Sequence, residues 1–176
     1  MRIATWNINS IRLRINQVIS FLEKFNIDVL CLQETKVVND SFPSKTFIEK
    51  GYFSYFNGIP SYNGVAILSR NKGENVLCKN FCQKEDGRHI QICVGQTSIH
   101  SIYVPAGGDN PDPSQNIKFK HKLDFLDEMH DWTKSLKNSV LCGDFNIAPF
   151  KDDVWSHKAL ENVVSHTQVE REKLIK

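Results

Sequence analysis

The chain has 176 residues, 40% of them hydrophobic, a mean hydropathy of -0.36 and a formal net charge of +2. That length supports one domain with its own core, and no apolar stretch approaches the ~20 residues that span a bilayer. So mild a positive charge permits a nucleic-acid partner but argues against binding by bulk electrostatics alone.

In chain order, Arg2 to Asn7 is an apolar-rich run ending in Asn7 and Asn9. Ile15, Val18, Ile19, Leu22 and Phe25 then recur at helical spacing, which predicts an amphipathic helix over Arg14 to Phe25. It leads into a strand, Val29 to Glu34. Pro43 to Lys50 reads as a short helix closed by Gly51, Tyr52 to Asn57 as an aromatic-rich strand, and Val65 to Ser69 as an apolar strand ending at Arg70. After a turn over Asn71 to Asn75, three runs (Val76 to Lys79, Arg88 to Val94, Thr97 to Val104) make an antiparallel meander. Pro105 to Pro113 is rich in proline and glycine and reads as a functional loop.

Between Asn116 and Leu136, the apolar stripe Phe119, Leu123, Leu126, Met129, Trp132, Leu136 reads as core packing. Lys118, Lys120, Lys122 and Lys134 lie largely off it, as a solvated face, with phosphate contact as the alternative because they follow the loop. Ser139 to Cys142 is expected to be a strand buried on both faces, with Gly143 letting the backbone turn before Asp144 and Asn146. A short helical turn is expected around Asp152 to Trp155. Thr167 and Glu170 then stand at capping-box spacing ahead of a helix, Arg171 to Lys176, too short to be stable without an apolar partner.

Four of these runs deliver a polar side chain at the strand end, where open α/β sheets collect ligands. Gathered in neighbouring strands, Asn7, Glu34, Tyr103, Asp144 and Asn146 would form an oxygen-rich cluster suited to Mg²⁺, with Mn²⁺ as the alternative. The plainer reading of Asp144 and Asn146 is an Asx turn. Five cysteines (Cys31, Cys78, Cys82, Cys93, Cys142), three inside predicted strands, are expected to be reduced thiols. Cys78, Cys82 and His89 lack a second ligand pair at zinc spacing. The N-terminus has no signal-peptide core, so a cytoplasmic protein is expected, with no membrane partner.

Taken together, Thr5-Trp-Asn-Ile-Asn-Ser-Ile-Arg12, Leu32-Gln-Glu-Thr-Lys36, Asn63-Gly-Val-Ala-Ile-Leu-Ser-Arg70, Asp86-Gly-Arg88, Tyr103-Val-Pro105 and Gly143-Asp-Phe-Asn-Ile-Ala-Pro149 form an ordered set. In that order and spacing the chain resembles exodeoxyribonuclease III and the abasic-site endonucleases of the endonuclease/exonuclease/phosphatase superfamily. The resemblance implies an α/β fold, a DNase I-like two-sheet sandwich, with residues 1–176 forming one domain that lacks the C-terminal part of the second sheet. It implies Mg²⁺-dependent cleavage of double-stranded DNA at abasic sites and 3′ ends, and a monomer in full-length relatives. Glu34 would be the main metal carboxylate, supported by Asn7. Tyr103 would contact the scissile phosphate, Asp144 would orient or deprotonate the attacking water and ligate the metal with Asn146, and Asn146 would hydrogen-bond beside the water.

Arg70, Arg88 and Lys118 are the substrate-binding candidates, the two arginines either positioning the strand or serving as surface charges. Pro105-Ala-Gly-Gly108 departs from the Pro-Asn-Gly of much of the family, as a bacterial subgroup also does. Members of the family run further and carry a Ser-Asp-His motif with a central catalytic role. None of His89, His100, His121, His130, His157 and His166 follows a Ser-Asp. A truncated or fragmentary chain with weakened activity and an open sheet edge is therefore expected. The alternatives are a catalytically dead remnant and a superfamily phosphodiesterase acting on RNA or phosphorylated lipid, though the Leu-Gln-Glu-Thr-Lys and Tyr-Val-Pro forms favour DNA.

Overall fold

The apolar run Val29–Gln33 becomes strand β2, buried at every position, because both of its faces meet apolar layers. On one face Leu30 and Leu32, with Ala66 and Leu68, pack against Ile11, Val18 and Leu22 of helix α1 (Ile11–Phe25) and Phe47 of helix α2 (Ser44–Glu49). On the other, Val29, Cys31, Val65 and Ile67 pack against Ile90, Ile92, Ile99 and Tyr103 of a second sheet. The computed structural model describes residues 1–175, so Lys176, at the end of the last predicted helix, lies outside the described residues.

The chain forms two compact units: 1–80, 84–103 and 137–144; and 81–83, 104–136 and 145 onward. The first holds β1 (Ile3–Asn7), β2, β3 (Phe53–Asn57) and β4 (Val65–Ser69) in one sheet of order β1-β2-β4-β3. A second sheet of order β5-β6-β7-β8 contains β5 (Glu74–Leu77), β6 (His89–Val94), β7 (Thr97–Tyr103) and β8 (Ser139–Asp144). Two neighbouring pairs, β1/β2 and β7/β8, run parallel, and the rest are antiparallel. Helix α1 starts three residues before the predicted Arg14 because Ile11 is itself fully buried, and it ends at Asn26, whose left-handed φ of 49° closes the last turn.

The last strand differs from expectation in two ways. Every residue of β8 is half-buried rather than buried on both faces. And Gly143 does not turn the chain: it lies inside the strand, where a Cβ would stand 2.0 Å from the Ile102 carbonyl oxygen. Glycine is required there by close approach, and the strand runs on to Asp144.

The second unit holds α3 (Ile117–Thr133), α4 (His157–Leu160) and α5 (Gln168–Ile175). Asn116 fixes the start of α3, its side-chain oxygen accepting from the N–H groups of Lys118 (3.0 Å) and Phe119 (3.3 Å). The buried face of α3 is Phe119, Lys122, Phe125, Leu126 and Met129, so Lys122 belongs to the core and not to a solvated face. It lies three residues from Phe119 and Phe125, which puts all three on one stripe. The capping box forms, with the Thr167 N–H donating to Glu170 Oε2 at 3.2 Å and the Glu170 N–H donating to Thr167 Oγ1 at 3.4 Å. Helix α5 is not left without a partner, since Glu170 is buried against Lys122. All five cysteines are free, and among the described residues no helix is long and apolar enough to cross a membrane.

Candidate active site

Strand polarity gathers the site. In the parallel pair β1/β2, Asn7 stands opposite Gln33, and in β7/β8 Tyr103 stands opposite Asp144. Each pair therefore delivers two chain ends together, and Glu34 follows directly on Gln33.

Asn7 joins the two sheets at this point. Its Nδ2 donates to Glu34 Oε1 and to Asp144 Oδ2, each at 2.8 Å. Tyr103 Oη donates to the same Glu34 oxygen at 2.9 Å, while Lys36 Nζ sits 2.8 Å from the other, Oε2. Lys36 also donates to Asn9 Oδ1 at 2.5 Å, and the Asn9 N–H donates to Asn7 Oδ1 at 3.1 Å. Burial pushes the Glu34 carboxyl upward, but the Asn7 amide, the Lys36 ammonium and the Tyr103 hydroxyl together hold it below its ordinary value. The Tyr103 hydroxyl is pushed well above its ordinary value by burial and by its bond to the Glu34 carboxylate, so it stays a donor.

The backbone around these groups is unusual. Asn9 (φ 43°), Glu34 (φ 54°) and Lys36 (φ 52°) occupy the left-handed region, which costs a non-glycine residue on the order of 1–3 kcal/mol. Hydrogen bonds from Ser10 N–H to Glu34 O (2.7 Å), Thr35 N–H to Gly64 O (3.0 Å) and Lys36 N–H to Asn63 O (3.0 Å) hold the turn. Gly64 is obligatory in it, because a Cβ would lie 2.2 Å from Thr35 Oγ1.

Of the substrate-binding candidates, Arg88 stands beside the cluster. Its guanidinium lies 5.0 Å from the centre of the Tyr103 ring, donates to the Tyr103 carbonyl at 3.2 Å and pairs with Asp86 at 2.5 Å. Arg70 does not join it. Strand β4 is antiparallel to β2, so Arg70 ends up beside Asp28 at the opposite end of the sheet from Glu34. There it donates to the Ile27 carbonyl and the Asn26 side chain, each at 3.0 Å, and lies over Tyr52. Lys118 is exposed on the first turn of α3, in the second unit. Asn146 belongs to that unit too, with a φ of 51° and its Nδ2 donating to the Val104 carbonyl at 2.9 Å.

Lys36 is the member of the cluster that strand-end reasoning passed over, although it sits two positions after Glu34 inside the Leu-Gln-Glu-Thr-Lys motif. Among the described residues no three His, Cys, Asp or Glu side chains cluster as metal ligands, which leaves a site of two carboxylates and an amide. The sequence profile of the Endonuclease/Exonuclease/phosphatase family matches residues 4–166. The chain belongs to that family.

Two solved members share its fold closely. An AP endonuclease from Archaeoglobus fulgidus is 36% identical with a TM-score of 0.89, over 98% of this chain and 68% of that one. A 3′ phosphatase from Neisseria, solved bound to product DNA hairpin, is 30% identical with a TM-score of 0.89, over 99% and 69%. Exodeoxyribonuclease III of Haemophilus influenzae is 26% identical over 165 residues, 88% of this chain. The chain spans 60% of that relative's length.

Proposed function

We propose that this chain acts as a Mg²⁺-dependent DNA-repair nuclease that cuts phosphodiester bonds beside abasic sites and removes nucleotides from 3′ ends of double-stranded DNA. The observation that carries the reading is the Asn7 amide bridging Glu34 and Asp144 at 2.8 Å each, with Tyr103 on the same Glu34 oxygen. Hydrolysis of a phosphodiester calls for a polarised phosphate, an aligned water and a stabilised leaving oxygen, and this set of side chains supports each. We take residues 1–176 as one domain of the family.

The donor set suits a hard divalent ion, which takes one or two carboxylates and completes its shell with water and phosphate oxygens. The Lys36 ammonium against Glu34 Oε2 already marks that carboxylate as a seat for positive charge. Glu34, Asn7 and Asp144 would hold Mg²⁺, or Mn²⁺ in its place. The ion would polarise a non-bridging phosphate oxygen and offset charge on the leaving 3′ oxygen. In the chain itself, Asp144 orients or deprotonates the attacking water, and Asn146 hydrogen-bonds beside it. Tyr103, kept protonated and braced by Arg88, contacts the scissile phosphate, while Lys118 meets the DNA backbone.

The test is cleavage of an abasic duplex with Mg²⁺, with Glu34→Ala and a chelator as controls. Cleavage abolished by both supports the assignment. Product that survives Glu34→Ala comes from another enzyme and overturns it.

A further inference from the structure

Helix α3 carries a fully buried cation that the proposed reaction does not use. The side chains of Lys122 and Glu170 are both 0% exposed, with Lys122 Nζ 2.5 Å from Glu170 Oε1. The same ammonium donates to the Asn146 carbonyl at 2.7 Å, the Ala106 carbonyl at 3.2 Å and Ser165 Oγ at 3.3 Å. Glu170 in turn accepts from the Ser165 N–H at 3.0 and 2.9 Å and from the Thr167 N–H and hydroxyl. Gly107, at φ 93°, leaves room for the lysine stem, since a Cβ there would lie 3.0 Å from Lys122 Cδ.

A buried ion pair is a poor source of stability, because the desolvation cost offsets the Coulombic gain and an apolar pair of similar volume does as well. What an apolar pair cannot do is grip carbonyl oxygens. An ammonium has three donors and no acceptor, and here they reach the segment leaving β7, at Ala106, and the segment leaving β8, at Asn146. Asn146 is thereby fixed at two points: its carbonyl on Lys122 and its side-chain amide on the Val104 carbonyl. That double hold stabilises a non-glycine residue at a φ of 51°.

We propose that the Lys122–Glu170 pair is a positioning device that sets the place of Asn146 for hydrolysis. It rests on the role given to Asn146 above. Lys122 touches no reacting atom and acts through the backbone it holds.

The charge-balanced variant Lys122→Met/Glu170→Gln tests it, since it keeps the volume and leaves no lone buried charge. The expected result is a cooperative melt near the parent's, displaced Asn146 backbone and side-chain amide signals in a ¹⁵N correlation spectrum, and kcat lowered on the order of a hundredfold with KM unchanged. A folded variant with unmoved Asn146 signals and parental kcat overturns the proposal. Should the double variant not melt cooperatively, Glu170→Gln alone keeps the side-chain shape and one acceptor oxygen, and the Asn146 signals are read in the same way. A parent chain without abasic-site cleavage would sink the proposed reaction, while the Asn146 signals, which need no substrate, would still decide the positioning role.

Discussion

Asn7 spends one amide nitrogen on two carboxylates, and this makes it the side chain whose loss disturbs most. Asn7→Ala removes the donor shared by Glu34 and Asp144, so the Glu34 carboxyl should titrate higher. Abasic-site cleavage should fall by about 10²–10³, the range for removing one preorganised donor, measured as single-turnover rate. Asp144→Asn, which retains shape but not basicity, should cost about 10²–10⁴; a rate within threefold or so of the parent would remove Asp144 from its role. Arg70→Ala should behave oppositely. It gives up hydrogen bonds to Ile27 and Asn26 and a ring contact with Tyr52, worth about 1 kcal/mol in a denaturant titration, and leaves cleavage unchanged. The sequence left Arg70 open between positioning the substrate strand and surface charge, because strand direction is not written in a strand's own residues. Its run ends in a polar side chain as β2 does, but β4 runs the other way.

At the level of elements, the strand-end motifs were legible because Asn7, Glu34, Tyr103 and Asp144 each follow an apolar run, and parallel pairing then brings the ends together. Close approach was not legible. Gly143 looked like a turn because glycine is common in turns, whereas its cause is the Ile102 carbonyl on the neighbouring strand. Gly143→Ala should therefore force β8 away from β7, at a cost of about 1–3 kcal/mol in unfolding free energy and with a displaced Asp144. An alanine variant as stable and as active as the parent would show that the strand has room. Lys122 was misread for a related reason: its polarity broke an apolar stripe that its position continues, and what makes its burial tolerable, Glu170 with the Ala106 and Asn146 carbonyls, lies far away in the sequence. The edge strand β5 begins two residues before the predicted Val76, because its exposed residues carry no apolar alternation to mark the start.

For the whole molecule, acid stability should be governed by a buried histidine pair between β6 and β7. His89 Nε2 and His100 Nδ1 lie 3.0 Å apart, and burial holds His89 down to about 3 and His100 down to about 4. Both are neutral when folded, so the unfolded chain binds more protons once the pH drops below the ordinary histidine value of ~6.5. Stability should thus be complete above about pH 6.5 and decline as the pH falls towards those folded values, at up to about 1.4 kcal/mol per pH unit for each ring. A thermal midpoint that stays level between pH 7 and pH 4 would contradict this. The Asn7–Asp144 bond has a different consequence, one of time. It joins residues 137 positions apart, and β8 reaches its sheet only after the segment 104–136 has been made. The entropy cost of closing that loop is offset only when β8 pairs with β7, from Ser98 opposite Ser139 to Tyr103 opposite Asp144. Glu34, Asn7 and Tyr103 can meet while the chain is still growing, but the second carboxylate arrives last. A nascent chain shorter than residue 144 would hold half a site, and slow folding of the finished chain should appear as a lag between formation of the first sheet and the onset of cleavage.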